Sequence, residues 1–201
     1  MQGDRLMNIE IFSKEYFKEL INLINIININ EIKYFAIEIE NAYINRKNIF
    51  VMGNGGSAAT ASHFACDINK GVSLKLQKKF KVLCLNDNIP IILAYSNDIS
   101  YDSVFIEQLK NFIMNDDLVI GISGSGNSKN VLNAIEYANK VSARTFGVIG
   151  CDGGKLKDIA QKFLIIKSFD MQKIEDCHII LVHLVMQYFY KKLNKDESDC
   201  F

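Results

Sequence analysis

Five short apolar runs, at residues 49–52, 80–85, 118–122, 145–149 and 163–166, constrain this 201-residue chain more than anything else in it. Turn-forming residues bound each run, and helical patterns at 63–69, 89–97 with 104–114, 131–140 and 156–160 separate them. A strand with one face in water alternates apolar and polar residues. A strand that is apolar throughout must be covered on both faces. Strands of that kind alternating with helices predict an α/β fold: a doubly wound, five-stranded parallel sheet of the flavodoxin-like type. In such sheets ligands bind outside the carboxyl ends of the strands.

The flanks read as helix. Between residues 9 and 44, Phe12, Tyr16, Phe17 and Leu20, then Ile32, Phe35, Ile39 and Tyr43, recur at helical spacing, with a break near residues 28–30. Residues 171–193 form a last long helix, and residues 194–201 a polar tail expected to be disordered. With one proline, Pro90, and no linker-like stretch, the expectation is a single domain. It comprises helices over 1–45 and a core with the last helix over 46–193.

Charge excludes some partners. Lys+Arg and Asp+Glu both number 23, and no basic stripe stands out, which argues against nucleic acid. No apolar run reaches the roughly 20 residues a membrane helix needs. The amino-terminal stretch lacks a signal-peptide pattern, and Met7 is an alternative start. Five cysteines without a CxxC pair suggest reduced thiols and a cytoplasmic protein.

Two strand ends carry glycine- and serine-rich turns that run straight into helices. The first is Gly53-Asn54-Gly55-Gly56-Ser57, and the second is Ser123-Gly124-Ser125-Gly126-Asn127-Ser128. Glycines such as Gly55 and Gly124 let backbone approach a ligand, and a helix start offers unpaired N–H groups with a partial positive charge. Neither turn is a P-loop or a dinucleotide fingerprint. A neutral, serine-lined pocket suits a phosphomonoester on a small molecule. Asn86-Asp87-Asn88 follows the second strand, and the segment, Asn88 above all, is a candidate for sugar hydroxyls or simply a turn.

The three histidines fall in two places. His63 and Asp67 are four apart and share a helix face, while His178 and His183 lie on the last helix. Glu175 is three residues before His178 and eight before His183, or ~12 Å along a helix axis. His178, on a mostly apolar helix, is expected in the core.

The segments GNGGSAATASHFACD and GISGSGNSKNVLNAI resemble the two signature segments of the sugar-isomerase (SIS) family, and within it the phosphoheptose isomerases. That resemblance implies a phosphate cradled by Ser57, Ser123, Ser125 and Ser128 with Asn54 nearby. It implies a homotetramer with active sites between subunits. It also implies an aldose–ketose isomerisation of sedoheptulose 7-phosphate toward heptose for a surface glycan. Asp67, where the family has Glu, and His183 match its acid–base pair. His63, Asp67, Glu175 and His183 match positions that hold Zn²⁺ in some members, Glu175 replacing the family's Gln. The two substitutions leave other readings open: an isomerase for another sugar phosphate, or a phosphosugar-binding module without turnover.

Overall fold

The computed structural model describes residues 8–194. The polar tail beyond Asn194, Cys200 with it, and the alternative start at Met7 lie outside the described residues.

Two helices come first, α1 (Ile9–Asn25) and α2 (Ile29–Ile44). Each starts on an asparagine whose side chain accepts backbone N–H groups that the helix leaves unpaired. Asn8 Oδ1 accepts from Glu10 N at 2.9 Å, and Asn28 Oδ1 from Asn30 N at 3.0 Å. Asn28 thus makes the break anticipated at 28–30. Then follow β1 (Ile49–Met52), α3 (Gly56–Cys66), a π-turn (Asp67–Val72), β2 (Val82–Cys84), α4 (Ile89–Asp98), a 3₁₀ turn (Tyr101–Ser103), α5 (Val104–Phe112), β3 (Leu118–Ser123), α6 (Lys129–Lys140), β4 (Arg144–Ile149), α7 (Gly154–Ile159), β5 (Lys162–Ile165) and α8 (Met171–Leu193).

The five strands form one parallel sheet in the order β2-β1-β3-β4-β5. The order in which strands are added reverses between β1 and β3, so the ends of these two neighbours flank the expected ligand crevice. Alternation along β1 shows why its run is apolar throughout. Ile49 and Val51 face a layer of α2, α3 and α8 that includes Phe35, Phe64, Leu181 and Phe189. Phe50 and Met52 face a layer of α5, α6 and α7 that includes Phe105, Leu109, Ile135 and Leu156.

Two elements differ from expectation. The strand read at 80–85 is trimmed to Val82–Cys84, because Phe80 turns away to stack on Tyr43 (centroids 4.3 Å apart) and its N–H donates to Ser73 Oγ. The helix whose apolar pattern shows only from residue 63 begins at Gly56, within the turn read as running straight into it. Its first two turns are small residues that bury against the sheet without producing an apolar stripe. Among the described residues no helix is long and apolar enough to cross a membrane.

His178 lies in the core, 0% exposed. Its Nε2 is 3.1 Å from the Ile149 carbonyl oxygen. That oxygen can only accept, so Nε2 carries the proton and Nδ1, which has no partner, is left with its lone pair. Burial pushes its pKa down to about 4, partly offset by the bond to Ile149. The native state therefore holds His178 neutral where the unfolded chain, titrating near 6.5, takes up a proton. Below that pH the unfolded state binds more protons, so stability falls as pH drops from about 6.5 toward 4, by roughly 3 kcal/mol. Urea unfolding at pH 7 and pH 4.5 should show this loss, and His178→Met should lose correspondingly less over the same interval.

Candidate functional site

Both glycine- and serine-rich turns sit at carboxyl ends of adjacent strands, as the topology requires. In the first turn, Asn86 reaches across from the end of β2 and straddles Gly53. Its Oδ1 accepts from Gly53 N at 3.1 Å and its Nδ2 donates to Gly53 O at 2.8 Å, so a side chain continues the ladder where the strands end. Asn54 exchanges two amide bonds with Asn130, at 2.9 and 3.0 Å, and its Oδ1 also accepts the Tyr101 hydroxyl at 2.8 Å. One N–H of the Asn54 carboxamide remains available to a ligand. Ser57 is buried in the first turn of α3.

In the second turn, Ser123 Oγ accepts Gly126 N–H at 3.1 Å and Ser125 Oγ accepts Asn127 N–H at 3.2 Å. Ser123 and Ser128 hydroxyls lie 3.2 Å apart, and Ser128 makes no side-chain bond to the start of α6. Ser125 Oγ is engaged as an acceptor and leaves its proton to donate, whereas one of the Ser123 and Ser128 protons is spent between the two and the other is left for a ligand. Together with the starts of α3 and α6 these hydroxyls form a donor-rich cradle, with no charged residue in either turn itself, of the kind that takes an anion.

The start of α8 closes over both turns. A Cβ added to Gly124 would fall 3.3 Å from Met171 Cε, and one added to Gly56 would collide with the Glu175 carboxylate. Met171 and Glu175 are one helical turn apart, so a single face of α8 covers both glycines.

Farther along α3 and α8 lies a second group. His63 Nε2 is 2.8 Å from His183 Nε2 and 3.3 Å from Asp67 Oδ2; His183 Nε2 is 3.9 Å from the same oxygen. Asp67 opens the π-turn after α3, a widening of the helix that often accompanies function. Both imidazoles are about half exposed, while Asp67 is only 15% exposed. One imidazole must donate and the other accept in the 2.8 Å contact, so the three side chains already share protons among themselves.

Of the residues singled out from the sequence, the structure brings together His63, Asp67 and His183 as one group. Asn54, Gly55, Ser57, Ser123, Gly124, Ser125 and Ser128 lie on the two facing turns. Glu175 stands outside the three-residue group, held against Gly56. Asn88 caps α4, its Oδ1 accepting from Ile91 N at 3.2 Å, so its side chain is committed to the helix start. Asn130 and Tyr101 were not anticipated as site residues, while Asn86 and Asn127 lie in segments singled out from the sequence without the clamping roles that the structure gives them. Only their hydrogen bonds across the fold mark them, and neither composition nor spacing carries that signal.

The donors of the three-residue group lie within 4.8 Å of one another. Two imidazole nitrogens and a carboxylate oxygen are the ligand chemistry of Zn²⁺, whose donors in a tetrahedral site stand about 3.4 Å apart. The residues present therefore fit such an ion.

Residues 15–150 match the SIS domain family. The phosphoheptose isomerase of Helicobacter pylori is 39% identical over 141 residues, covering 70% of this chain and 73% of that protein. That of Geobacter sulfurreducens is 36% identical over 159 residues, covering 79% and 84%. Among solved structures, the phosphoheptose isomerase of Neisseria gonorrhoeae superposes with a TM-score of 0.82 at 26% identity, covering 90% of this chain and 98% of that one.

Proposed function

Because the chain belongs to the SIS domain family, and within it to the phosphoheptose isomerases, we infer that it is an aldose–ketose isomerase. Its reaction interconverts sedoheptulose 7-phosphate and D-glycero-D-manno-heptose 7-phosphate. The observation that carries this reading is the pairing of an anion cradle, at the starts of α3 and α6, with an acid–base group farther along α3 and on α8. Ser57 and His63 are six residues apart on α3, about 9 Å along its axis. A substrate with a phosphate at one end and a carbonyl at the other needs a separation of that kind.

The chemistry follows from the side chains. Isomerisation moves a proton between C1 and C2 through an enediol, and the oxygens gain negative charge on the way. Asp67, the more buried member of the group, takes the carbon proton. His183 serves the oxygens, and His63 fixes the orientation of His183 through their 2.8 Å contact. The serine hydroxyls and the Asn54 N–H hold the phosphate end. His63, Asp67 and His183 would hold Zn²⁺, which when bound supplies positive charge beside the enediol oxygens. Glu175, against Gly56, would stay near the first turn.

The proposal extends to assembly and setting. Helix α1 has no buried residue, and Ile9, Phe12, Phe17 and Ile21 are exposed along it. Ile29, Ile32, Leu184 and Tyr188 line a further apolar groove between α2 and α8. These surfaces support a homotetramer with sites between subunits. The free thiols Cys66, Cys84, Cys151 and Cys177 support a cytoplasmic location. Supply of heptose to a surface glycan rests on the family alone.

The test is incubation of purified protein with sedoheptulose 7-phosphate, with and without added Zn²⁺, with the product read by NMR. The expected result is the aldose heptose phosphate, from a particle with the mass of four chains by light scattering. Phosphosugar binding without turnover under every metal condition would overturn the enzymatic reading.

A further inference from the structure

The turn after β4, Cys151-Asp152-Gly153-Gly154-Lys155, has no evident part in the chemistry, yet it is built onto the back of the second serine turn. Helix α7 starts here, and its first N–H groups would ordinarily lack partners. Gly154 N–H donates to Asp152 Oδ1 at 3.1 Å, and the next two go to the serine turn. Leu156 N–H donates to Gly126 O at 2.9 Å, and Lys155 N–H donates to Asn127 Oδ1 at 3.1 Å. The Asn127 side chain then closes the circuit, its Nδ2 donating to Ser125 O at 2.9 Å, while its own backbone N–H donates to Ser125 Oγ at 3.2 Å.

Close approach of two backbones makes this docking possible. Gly126 and Gly154 have φ of +65° and +50°. A Cβ on Gly154 would fall 2.6 Å from both Ser125 O and Asn127 Nδ2, and one on Gly126 would collide with the Gly153 carbonyl. Neither glycine has space for a side chain or a backbone conformation that favours one.

We propose that Asn127 and Gly154 are positioning residues for the substrate phosphate, pinning the 123–128 turn to α7 so that the Ser125 hydroxyl and its neighbours stand arranged before the ligand arrives. The inference rests on the reading of this turn as the phosphate cradle. Its consequence is thermodynamic. A turn ordered in advance does not have to be ordered by the phosphate, so affinity is gained without any contact from Asn127 or Gly154 to the ligand. Loosening the docking weakens binding of the phosphate end and leaves the His63, Asp67 and His183 group, on α3 and α8, untouched.

The test compares wild type, Asn127→Ala and Gly154→Ala as full chains. KM and kcat are measured for sedoheptulose 7-phosphate, and affinity for inorganic phosphate by calorimetry. The expected result is at least about a tenfold rise in KM and a parallel loss of phosphate affinity, with kcat within about threefold of wild type. Asn127→Ala adds no atom to the turn, so it keeps the test decisive should Gly154→Ala fail to fold. Unchanged phosphate affinity in Asn127→Ala, or a kcat loss with KM unchanged, overturns the positioning role. Failure of the wild type itself to bind inorganic phosphate overturns instead the reading of the turn as a phosphate cradle.

Discussion

Replacing His183 with alanine is expected to lower kcat for sedoheptulose 7-phosphate by about a thousandfold, within the range that a positioned acid or base contributes. KM should change little, because the phosphate cradle lies at the other end of α3. His183 is half exposed, so its loss leaves no cavity in the core and folding should be unaffected. Asp67→Asn should cost a similar factor, since the amide keeps the shape of the carboxylate and loses its basicity. The double variant should be hardly worse than either single one, because the carbon proton taken by Asp67 and the oxygen served by His183 belong to one enediol-forming step, in which the two residues act as a unit. Asp67→Glu is the informative companion. It lengthens the side chain by one methylene toward the residue that the family carries. Activity equal to or above wild type would mean that the pocket tolerates either reach. A loss would mean that the π-turn and the 3.9 Å spacing to His183 are set for the shorter acid. A kcat unchanged in His183→Ala would remove this residue from the proton path.

Periodicity exposed the architecture because both layers of core leave a mark on it. The strands are apolar throughout, and the amphipathic helices α2, α5 and α6 keep a regular stripe. It failed where burial uses small or solitary residues. The first turns of α3 left no apolar stripe, only the turn that leads into them, since Gly56 to Thr60 are small. The glycine and serine turns were legible because phosphate chemistry demands residue types that are unusual side by side. The acid–base group was legible in half: His63 and Asp67 are four apart, but only the fold brings His183, 120 positions from His63, to 2.8 Å. Asn130 was invisible, and so were the clamping roles of Asn86 and Asn127, because an asparagine that clamps a distant backbone has the same local sequence as one in any loop. Glu175 shows the reverse case. Family likeness grouped it with the other three residues, and the side chain instead lies against Gly56.

At the opposite end of the sheet, Arg144→Met is expected to cost about 3–5 kcal/mol of folding stability while leaving kcat unchanged. Glu38 of α2 is 2% exposed, and three donors hold its carboxylate: Arg144 Nε at 2.5 Å, the second Arg144 nitrogen at 2.9 Å and Lys162 Nζ at 2.7 Å. Burial pushes the Glu38 pKa up, but the bonds and charges of Arg144 and Lys162 outweigh it and hold the group below its ordinary 4.5. The two directions of disruption are unequal. Removing Arg144 strands a buried carboxylate with one cation. Removing the charge by Glu38→Gln leaves Arg144 and Lys162, which are 41% and 36% exposed and can turn to water. The second change should therefore cost less, about 2 kcal/mol, and the pair Glu38→Met with Arg144→Met less than the sum of its parts. The pH dependence separates the cases further. A depressed carboxylate pKa contributes stability that is present above 4.5 and lost as pH falls through the lower folded value. In Arg144→Met burial is no longer outweighed, so acid should destabilise that variant less than it does wild type. Urea unfolding across pH 3 to 7 measures both effects. Equal costs for Arg144→Met and Glu38→Gln would mean that the carboxylate finds water or another donor when Arg144 is gone.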